Sequence, residues 1–515
     1  MNAVPLLGDF LSDTARRLPE KVALVAGDER VTYAELERRV NALASSLARR
    51  GVERGDRVIV FMESSIDAAV AFWAVLAANA VVSLVHPTTK EDKLVYLLDD
   101  CRARALVTSV KLAKVWRAAS ARSEHLATVV VMDGPEPITD AQDVAPPARR
   151  NIDVDLAAII YTSGSTGEPK GLAATVGSID SSISATQALF NHSSEDKLFI
   201  FLPLSLLQQR YWVYSALVYG HDVVLTTYQL AYYALSREAP TVVMGVPAFF
   251  ETLRKTIAAR TESDDPAALR RAAIDAMGPR IRYLWTGSAP ASPDMLRFFE
   301  DCGTPIFEGY GMNETCIVTK NAPAAHRRGS VGKPIDGKHV SIDEDGIVVV
   351  HSAFPVNRRY LFCAPGDSER IFQPDGSVRT GDLGRIDEDG FLYILGRTDD
   401  IVVLANGRNV LVRPIEEKLR TCPEVENCVV LGSGEDRLSA ILCAPDGEAA
   451  RGAIKHHIAD LNETSRPEER IGTFLIVDEP FSIENGLLTS QYKPKRRAIM
   501  VRFAEEIIQA SRGSI

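Results

Sequence analysis

A loop rich in glycine and hydroxyl residues limits the fold of this chain more than any other feature. It reads YTSGSTGEPKG from Tyr161 to Gly171 and follows the apolar run 156–160, which has the length and composition of a buried strand. Its glycines let backbone N–H groups turn toward one point, and its hydroxyl and lysine side chains add further donors. Such a loop at the end of a buried strand predicts a phosphate-binding site in an α/β fold. The candidate phosphate-binding residues are Thr162, Ser163, Gly164, Ser165, Thr166, Gly167 and Lys170.

The spacing within this loop differs from that of the Walker P-loop. A Walker loop places four residues between its first glycine and a Gly-Lys-Ser/Thr triplet, and this loop does not. A GTPase or a P-loop kinase is therefore disfavoured. The alternative interpretation is a flexible surface loop rich in serine and glycine, but such linkers rarely carry Pro-Lys-Gly at a fixed offset.

Length and composition limit the remaining classes of protein. With 515 residues the chain is too long for one core, so two or more domains are predicted. The formal net charge of −10 argues against a nucleic-acid-binding surface. Seven cysteines, without a C-x-x-C pair, indicate reduced thiols, a cytoplasmic location and no zinc site.

Neither a signal peptide nor a membrane span is predicted. The first ten residues have no basic region followed by an apolar stretch. The apolar segment 68–85 reaches the lower length limit for a membrane span, but Asn79 divides it into an alanine- and leucine-rich half and a β-branched half. We therefore expect a buried helix followed by a buried strand.

Repeated strand and helix units from residue 21 onward predict a doubly wound sheet. Thr32 is expected to cap a helix that runs through Arg50. Between about 332 and 391, short segments separated by Asp-Gly turns predict an all-β portion. A compact α+β segment follows Arg397. Helices are expected in it near residues 413–421, 449–461 and 495–511.

Five further motifs follow the loop in a fixed order. They are TGSAP (286–290), FEGYGMNET (307–315), TGDLGRIDEDGFLYILGRTDD (380–400), NGRNV (406–410) and ENGLLTSQYKPKRR (484–497). With the loop, they resemble the adenylate-forming superfamily of acyl-CoA synthetases, adenylation domains and luciferases. FLPLS at Phe201 and ENGLLT are most similar to the fatty-acyl-CoA synthetases.

The resemblance implies an α/β multidomain architecture. A large N-terminal domain is expected over residues 1–397, with two sheet-and-helix layers plus a small β-barrel at about 332–391. A hinge is expected at 398–400, and a mobile α+β C-terminal domain at 401–515. Asp399 matches the hinge residue about which the small domain swings.

The resemblance also implies a site for ATP and Mg²⁺. Glu314 matches the magnesium ligand, with Thr162 as a second metal contact, and Tyr310 is expected to stack on adenine. Asp382 should accept hydrogen bonds from the ribose hydroxyls, and Arg397 should approach the same ribose. The other implied nucleotide-binding residues are Ser288, Ala289, Pro290, Glu308, Gly309, Gly311 and Asn313.

The C-terminal basic cluster carries the last implied catalytic residue. Lys493 matches the lysine that bridges the substrate carboxylate and the α-phosphate, and it joins Glu314 and Arg397 as implied catalytic residues. Lys495, Arg496 and Arg497 are expected to be the solvated remainder of this cluster, with attraction of CoA phosphates as the alternative.

Four substitutions depart from the family pattern. Leu206 occupies the position of a histidine beside the substrate carboxylate and the CoA tunnel, and it cannot hydrogen-bond. Any role of that histidine is therefore lost unless one of the substitutes Gln208, Gln209 and Arg210 supplies it. Asn313 replaces a threonine, Val412 replaces a proline, and AATVGSID at 173–180 lacks a Thr-His pair. The ATP side of the site therefore matches the pattern, whereas the acyl and thiol side differs from it.

An apolar, partly aromatic pocket is expected for the substrate. Amino-acid adenylation domains carry an acidic residue in an FDxS string that FLPLSLLQQRYW lacks, so an α-amino acid is disfavoured. The lining suits an aryl or acyl group. Phe249 and Phe250 are further candidates, with a place in the core as their alternative. The expected pocket residues are Leu206, Tyr211, Trp212 and Trp285.

Three functions compete. The first is an ATP-dependent ligase that adenylates an acyl or aryl acid and passes it to a thiol, either CoA or a carrier-protein arm. The second is an ATP-dependent diazotase of secondary metabolism that activates nitrite for an aromatic amine, which the missing histidine supports. The third is a nucleotide-binding regulatory protein without catalysis, which the retained Lys493, Glu314, Asp382 and Arg397 disfavour.

Overall fold

The structure is a computed structural model of the chain, and it describes most of the residues. The described residues are 9–135, 147, 148, 150–162, 169–206, 213–216, 218–261, 265–287, 289, 291–361, 363–432, 434–445, 447–489 and 494–512. They form two compact units. The first unit comprises Met1–Val340 and Val350–Arg379, and the second comprises Ser341–Val349 and Thr380–Ile515.

The described elements are numbered in chain order. The strands are β1 (Val22–Ala26), β2 (Glu29–Thr32), β3 (Arg57–Phe61), β4 (Val81–Val85), β5 (Ala103–Thr108), β6 (Thr128–Val131), β7 (Leu156–Thr162), β8 (Lys170–Thr175), β9 (Lys197–Ile200), β10 (Asp222–Leu225), β11 (Val242–Gly245), β12 (Tyr283–Thr286), β13 (Ile306–Met312), β14 (Cys316–Lys320), β15 (Lys333–Pro334), β16 (Lys338–Ile342), β17 (Ile347–Ser352), β18 (Tyr360–Leu361), β19 (Val378–Ile386), β20 (Leu392–Arg397), β21 (Ile401–Val403), β22 (Asn409–Leu411), β23 (Asn427–Leu431), β24 (Leu438–Cys443) and β25 (Ile471–Val477). The helices are α1 (Asp9–Arg17), α2 (Tyr33–Arg49), α3 (Ile66–Ala77), α4 (Glu91–Asp100), α5 (Ala113–Arg122), α6 (Val176–Phe190), α7 (Ala231–Glu238), α8 (Pro247–Ala258), α9 (Pro266–Met277), α10 (Pro293–Asp301), α11 (Arg413–Leu419), α12 (Gly447–Thr464), α13 (Arg496–Arg502) and α14 (Ala504–Arg512).

Two large sheets form the first unit, as expected for the N-terminal domain. The nine-stranded sheet has the order β15-β14-β13-β12-β11-β9-β10-β1-β2, and its central strands are parallel. The seven-stranded sheet has the order β18-β8-β7-β4-β3-β5-β6. Each combines a parallel centre with antiparallel strands at one or both ends.

The side chains of β3 alternate between the two faces of the seven-stranded sheet, and both faces are covered. Val58 and Val60 belong to the large core that also contains α2, α3 and strands of the nine-stranded sheet. Ile59 and Phe61 point to the other face and pack with residues of α4 and α5. Since successive side chains of a strand face opposite sides, apolar residues at all four positions require a layer on each face.

Local sequence signals place several element ends. The side chain of Thr32 accepts a hydrogen bond from the Glu35 backbone N–H at the start of α2, as predicted. Asn79 has a φ of 62° and separates α3 from β4, so the apolar segment 68–85 is a buried helix and a buried strand. No helix within the described part of the chain is long and apolar enough to cross a membrane.

The predicted all-β portion contains a four-stranded sheet in the order β16-β17-β19-β20. The boundary between the two units runs through the first three of these strands. The Asp-Gly turns have glycines with positive φ at Gly346, Gly376 and Gly390, as such turns require. One short strand of this region, β18, belongs instead to the seven-stranded sheet of the first unit.

The second unit contains a three-stranded sheet, β23-β24-β25, and the hairpin β21-β22. One face of the three-stranded sheet packs against α11 and α12, and the other packs against Phe481 and residues of α13 and α14. The helices expected near 413–421 and 449–461 correspond to α11 and α12. The helix expected near 495–511 is interrupted at Phe503 and forms α13 and α14.

Arg496 is not part of a solvated basic cluster, and this expectation was wrong. Its guanidinium lies 2.7 Å from Glu416 Oε1 and 3.3 Å from Asp400 Oδ1, and it donates to the Val430 carbonyl. Arg496 is half-buried, and a cation taken partly out of water is stabilised by charged and carbonyl partners such as these. Arg497, the next residue, is exposed.

All seven cysteines are free thiols. Six of them are buried, and Cys363 is half-buried, with its sulfur 3.3 Å from Ser368 Oγ. The expectation of reduced cysteines agrees with this arrangement. The cytoplasmic location stays a prediction.

Candidate active site

Several predicted site residues lie outside the described residues. They are Ser163, Gly164, Ser165, Thr166, Gly167, Tyr211, Trp212, Ser288, Pro290 and Lys493, together with the substitutes Gln208, Gln209 and Arg210. The backbone of Asp399 follows β20, within the predicted hinge at 398–400. Their proposed roles stay predictions.

The predicted phosphate loop connects two antiparallel strands. It leaves β7 at Thr162 and returns at Lys170 in β8, so these two residues are directly paired. The Thr162 hydroxyl donates to the Lys170 carbonyl at 3.4 Å. Lys170 Nζ lies 2.8 Å from Asp367 Oδ2 and 5.4 Å from the centre of the Tyr360 ring. The lysine predicted to bind phosphate is therefore held by a carboxylate in this structure.

Tyr360 also contacts the predicted metal ligand. Its hydroxyl donates to Glu314 Oε1 at 2.7 Å, and Glu314 is only 7% exposed. Burial and the neighbouring Glu314 carboxylate raise the pKa of the Tyr360 hydroxyl, so it stays protonated and can donate. Tyr360 therefore contacts both Glu314 and Lys170, the metal and phosphate candidates of the sequence.

A second side chain positions the turn that carries Glu314. Asn357 Nδ2 donates to the Asn313 carbonyl at 3.0 Å and to the Glu314 carbonyl at 3.3 Å. Asn357 is 3% exposed, so these bonds are sheltered from water. They fix the backbone at both residues.

Tyr360, Asn357 and Asp367 were not found by sequence reasoning. They lie between β17 and β19, outside every motif used to place the site. Tyr360 reaches the site because β18 pairs with β8, where Tyr360 lies opposite Leu172. That pairing joins residues almost 190 positions apart, and no local pattern indicates it. The cluster of these three residues with Glu314 and Lys170 is called the Tyr360 cluster below.

The predicted adenine-binding strand has little free space around its glycines. Tyr310 lies on β13 opposite Thr319 of β14. A Cβ at Gly311 would lie 2.1 Å from the Cys316 carbonyl oxygen, so any side chain there would clash with the neighbouring strand. Glycine at 311 is thus required by strand packing, in addition to any approach of a nucleotide.

The described residues contain no group of three histidine, cysteine, aspartate or glutamate side chains that could hold a metal. A single buried carboxylate, Glu314, suits Mg²⁺ in a nucleotide site. Magnesium usually takes one or two carboxylates from the protein and the rest of its oxygen ligands from phosphates and water. The residues present therefore fit a magnesium ion that arrives with ATP.

The predicted ribose-binding pair is formed in the second unit. Asp382 and Arg397 are opposite each other on β19 and β20, with Arg397 Nη1 3.3 Å from Asp382 Oδ1. Asp382 is buried, and its backbone N–H donates to the Thr380 hydroxyl. The antiparallel hairpin thus brings together two residues that the sequence separates by a turn.

The predicted substrate pocket is divided between described and undescribed residues. Leu206 is half-buried, in a turn where its N–H donates to the Pro203 carbonyl. Trp285 is buried on β12, with Lys320 Nζ over its ring. Phe249 and Phe250 have no exposed surface and pack with Phe201 and other aromatic rings. This agrees with the alternative prediction that they belong to the core.

Comparisons with known proteins identify the family of this chain. The model of the AMP-binding enzyme family matches residues 11–352, and the model of the AMP-binding enzyme C-terminal domain matches residues 399–513. Long-chain-fatty-acid–CoA ligase FadD15 of Mycobacterium bovis is 28% identical, over 93% of this chain and 91% of that protein.

Two solved structures show the same fold. Anthranilate CoA ligase AuaEII in complex with anthranoyl-AMP superposes with a TM-score of 0.83 at 21% identity, over 99% of both chains. O-succinylbenzoate coenzyme A synthetase of Bacillus subtilis, in complex with ATP and a magnesium ion, superposes with a TM-score of 0.78 at 23% identity. That match covers 95% of this chain and 98% of the other.

Proposed function

This chain belongs to the AMP-binding enzyme family, and from that premise we propose that it is an AMP-forming ligase for an acyl or aryl acid. In the first step a carboxylate oxygen of the acid attacks the α-phosphorus of ATP, and the bond to pyrophosphate breaks. In the second step the thiolate of CoA attacks the carbonyl carbon of the acyl-adenylate, and AMP leaves. Named relatives act on acids of both kinds, a long-chain fatty acid and anthranilate.

The Tyr360 cluster is the observation that carries this proposal. The Tyr360 hydroxyl donates to the buried Glu314 carboxylate, and the Tyr360 ring lies beside the Lys170 ammonium. The incoming triphosphate would compete with Asp367 for Lys170, because both are anions. Bound Mg²⁺ would neutralise phosphate charge as the pyrophosphate leaves, with Glu314 as its protein ligand.

The remaining assignments rest on the motifs. We assign adenine to Tyr310, and the ribose hydroxyls to Asp382 and Arg397. Lys493 would bring its charge to the carboxylate and α-phosphate when the second unit closes about Asp399. CoA is the proposed acceptor, since the named relatives are CoA ligases; a carrier-protein arm is the alternative.

The test is pyrophosphate exchange with ATP and magnesium across aliphatic acids and aryl acids, followed by AMP release with and without CoA. We expect exchange with at least one class of acid, its loss in EDTA, and acceleration of AMP release by CoA. Glu314→Gln should abolish most of the exchange. Tyr360→Phe should raise the magnesium concentration for half-maximal exchange about tenfold, because residues that orient metal ligands affect metal affinity by that order. No exchange with any acid would overturn the proposal.

Leu206 gives a specific reason to include a second reaction. A leucine cannot hydrogen-bond a carboxylate or a thiol, so the acid route lacks one polar group that the family pattern supplies. The panel therefore includes nitrite with an aryl amine. Pyrophosphate release that requires both nitrite and the amine, without release from any acid, would identify a diazotase.

A further inference from the structure

Lys320 is a buried lysine, and no carboxylate among the residues described in the structure lies within ion-pair distance of it. It lies at the end of β14, is 2% exposed, and pairs with Gly309 of β13, next to Tyr310. Its ammonium donates to the Phe307 carbonyl in a long bond of 3.4 Å. Within the described part of the chain, no aspartate or glutamate oxygen lies within 4 Å of Nζ.

Aromatic rings surround the Lys320 ammonium. Nζ lies 2.9 Å from the centre of the Trp285 ring and 5.6 Å from that of Phe190. Ring faces attract a cation, but less strongly than a carboxylate in the same dry surroundings. Burial accordingly lowers the pKa of the Lys320 ammonium well below its usual value, and Glu308 only partly opposes this shift.

The position of Lys320 connects it to the predicted substrate pocket. Trp285 is the described aromatic residue that the sequence assigns to that pocket. A Cβ at Gly309 would lie 2.9 Å from Lys320 Cδ and 3.1 Å from Trp285 Nε1. The missing side chain at Gly309 therefore leaves the space in which the lysine chain reaches the tryptophan.

We propose that Lys320 is the binding partner of a second anionic group on the substrate, a carboxylate distinct from the one that is activated. This inference rests on the proposed ligase function and narrows its substrate class to acids with two negative charges, one of them carried beside an aryl ring or acyl chain that packs on Trp285. The anion would supply a counter-charge in direct contact with the ammonium, which no carboxylate of the described residues makes.

The experiment compares matched acids on the full chain and on Lys320→Met, which keeps an unbranched side chain of similar size without its charge. Benzoate is paired with its meta- and para-carboxy derivatives, and hexanoate with adipate. We expect the unmodified protein to prefer dianions in kcat/KM for pyrophosphate exchange. Lys320→Met should lose about 100-fold toward dianions, the order observed when one member of a buried charge pair is removed, and less than about threefold toward monoanions.

Direct binding separates this inference from the ligase proposal. Dianion affinity is measured by calorimetry without ATP, on the unmodified protein, on Lys320→Met and on Lys255→Met, an exposed lysine of α8 in the same unit. Thermal unfolding confirms that each variant folds, and Lys320→Gln replaces the methionine variant if it does not. Exchange with monoacids that is equal in all variants, without dianion preference, would overturn the role of Lys320 and leave the ligase intact. Absence of exchange with every acid would overturn the ligase, while Lys320-dependent dianion binding would still support the site.

Discussion

One basic side chain in each unit, Arg496 in the second and Lys320 in the first, is neutralised in a different way. In the second unit, Arg496 is enclosed with two carboxylates, Glu416 and Asp400. In the first unit, Lys320 is enclosed with aromatic rings and one carbonyl. An interior cation that the fold itself neutralises serves the fold, whereas one that the fold leaves without a counter-charge costs stability until something else supplies it.

Two buried histidines of the first unit also show how its interior affects the charge of basic side chains. His192 Nε2 lies 2.5 Å from the Tyr283 hydroxyl, and His221 Nε2 lies 2.8 Å from the Ser215 hydroxyl. Burial lowers the pKa of His192 to about 4 and that of His221 to about 3. Both are therefore neutral at pH 7.

The largest test of this contrast is acid. Because the histidine pKa values are lower in the folded state than in the unfolded chain, their stabilisation is complete above about pH 6.5 and is lost as pH falls toward 4 and 3. The two together should lower the free energy of unfolding by about 4 kcal/mol between pH 7 and pH 5. Urea unfolding at both pH values measures this, and His221→Gln should remove about half of the difference. An unchanged difference in that variant, or an equal effect of replacing the exposed His125, would contradict the assignment.

The next effect in size is the loss of the ion pair of the second unit. Arg496→Met leaves the largely enclosed Glu416 beside Asp400 without a counter-charge, so the free energy of unfolding should fall by about 2 kcal/mol. Hydrogen exchange followed by mass spectrometry can assign the loss to peptides of β23 and α11. The neighbouring exposed Arg497→Met is the matched control and should change stability by less than about 0.5 kcal/mol. Equal effects of the two variants would show that the ion pairs of Arg496 do not contribute to the free energy of unfolding.

The smallest effect has the opposite sign. Lys320→Met removes a cation that has no carboxylate partner, so the free energy of unfolding without substrate should stay unchanged or rise by about 1 kcal/mol. Thermal unfolding at pH 7 measures it. A loss comparable to that of Arg496→Met would mean that the rings around Lys320 neutralise it as well as carboxylates do, and the contrast between the units would disappear.

Local signals were sufficient for much of the fold. The Thr32 cap, the break at Asn79 and the Asp-Gly turns each depend on a few adjacent residues, and the structure has all three. The buried strand before the phosphate loop is β7. Apolar periodicity and turn chemistry act over short distances, so they can be read before the chain is folded.

Long-range contacts could not be predicted in the same way. Tyr360 reaches Glu314 because β18 joins β8, and Arg496 forms its ion pairs because α13 packs near Glu416. A basic residue in a run of basic residues looks solvated, and a tyrosine outside every motif looks ordinary. Arg496 and Tyr360 are distinguished by their partners, Glu416 and Glu314, which are distant in sequence and close only in the folded chain.

The cysteines make this chain unusually easy to label. Burial raises the pKa of Cys101 and Cys302 to about 12 and that of Cys422 to about 11, so these side chains carry almost no reactive thiolate near neutral pH. Cys363 is the half-buried exception, three residues after Tyr360. After Cys363→Ser, a cysteine introduced at any exposed position would take a fluorophore or spin label at that position alone, without rebuilding the interior. Cys363 itself, left in place, offers a natural attachment point for a reporter beside the Tyr360 cluster.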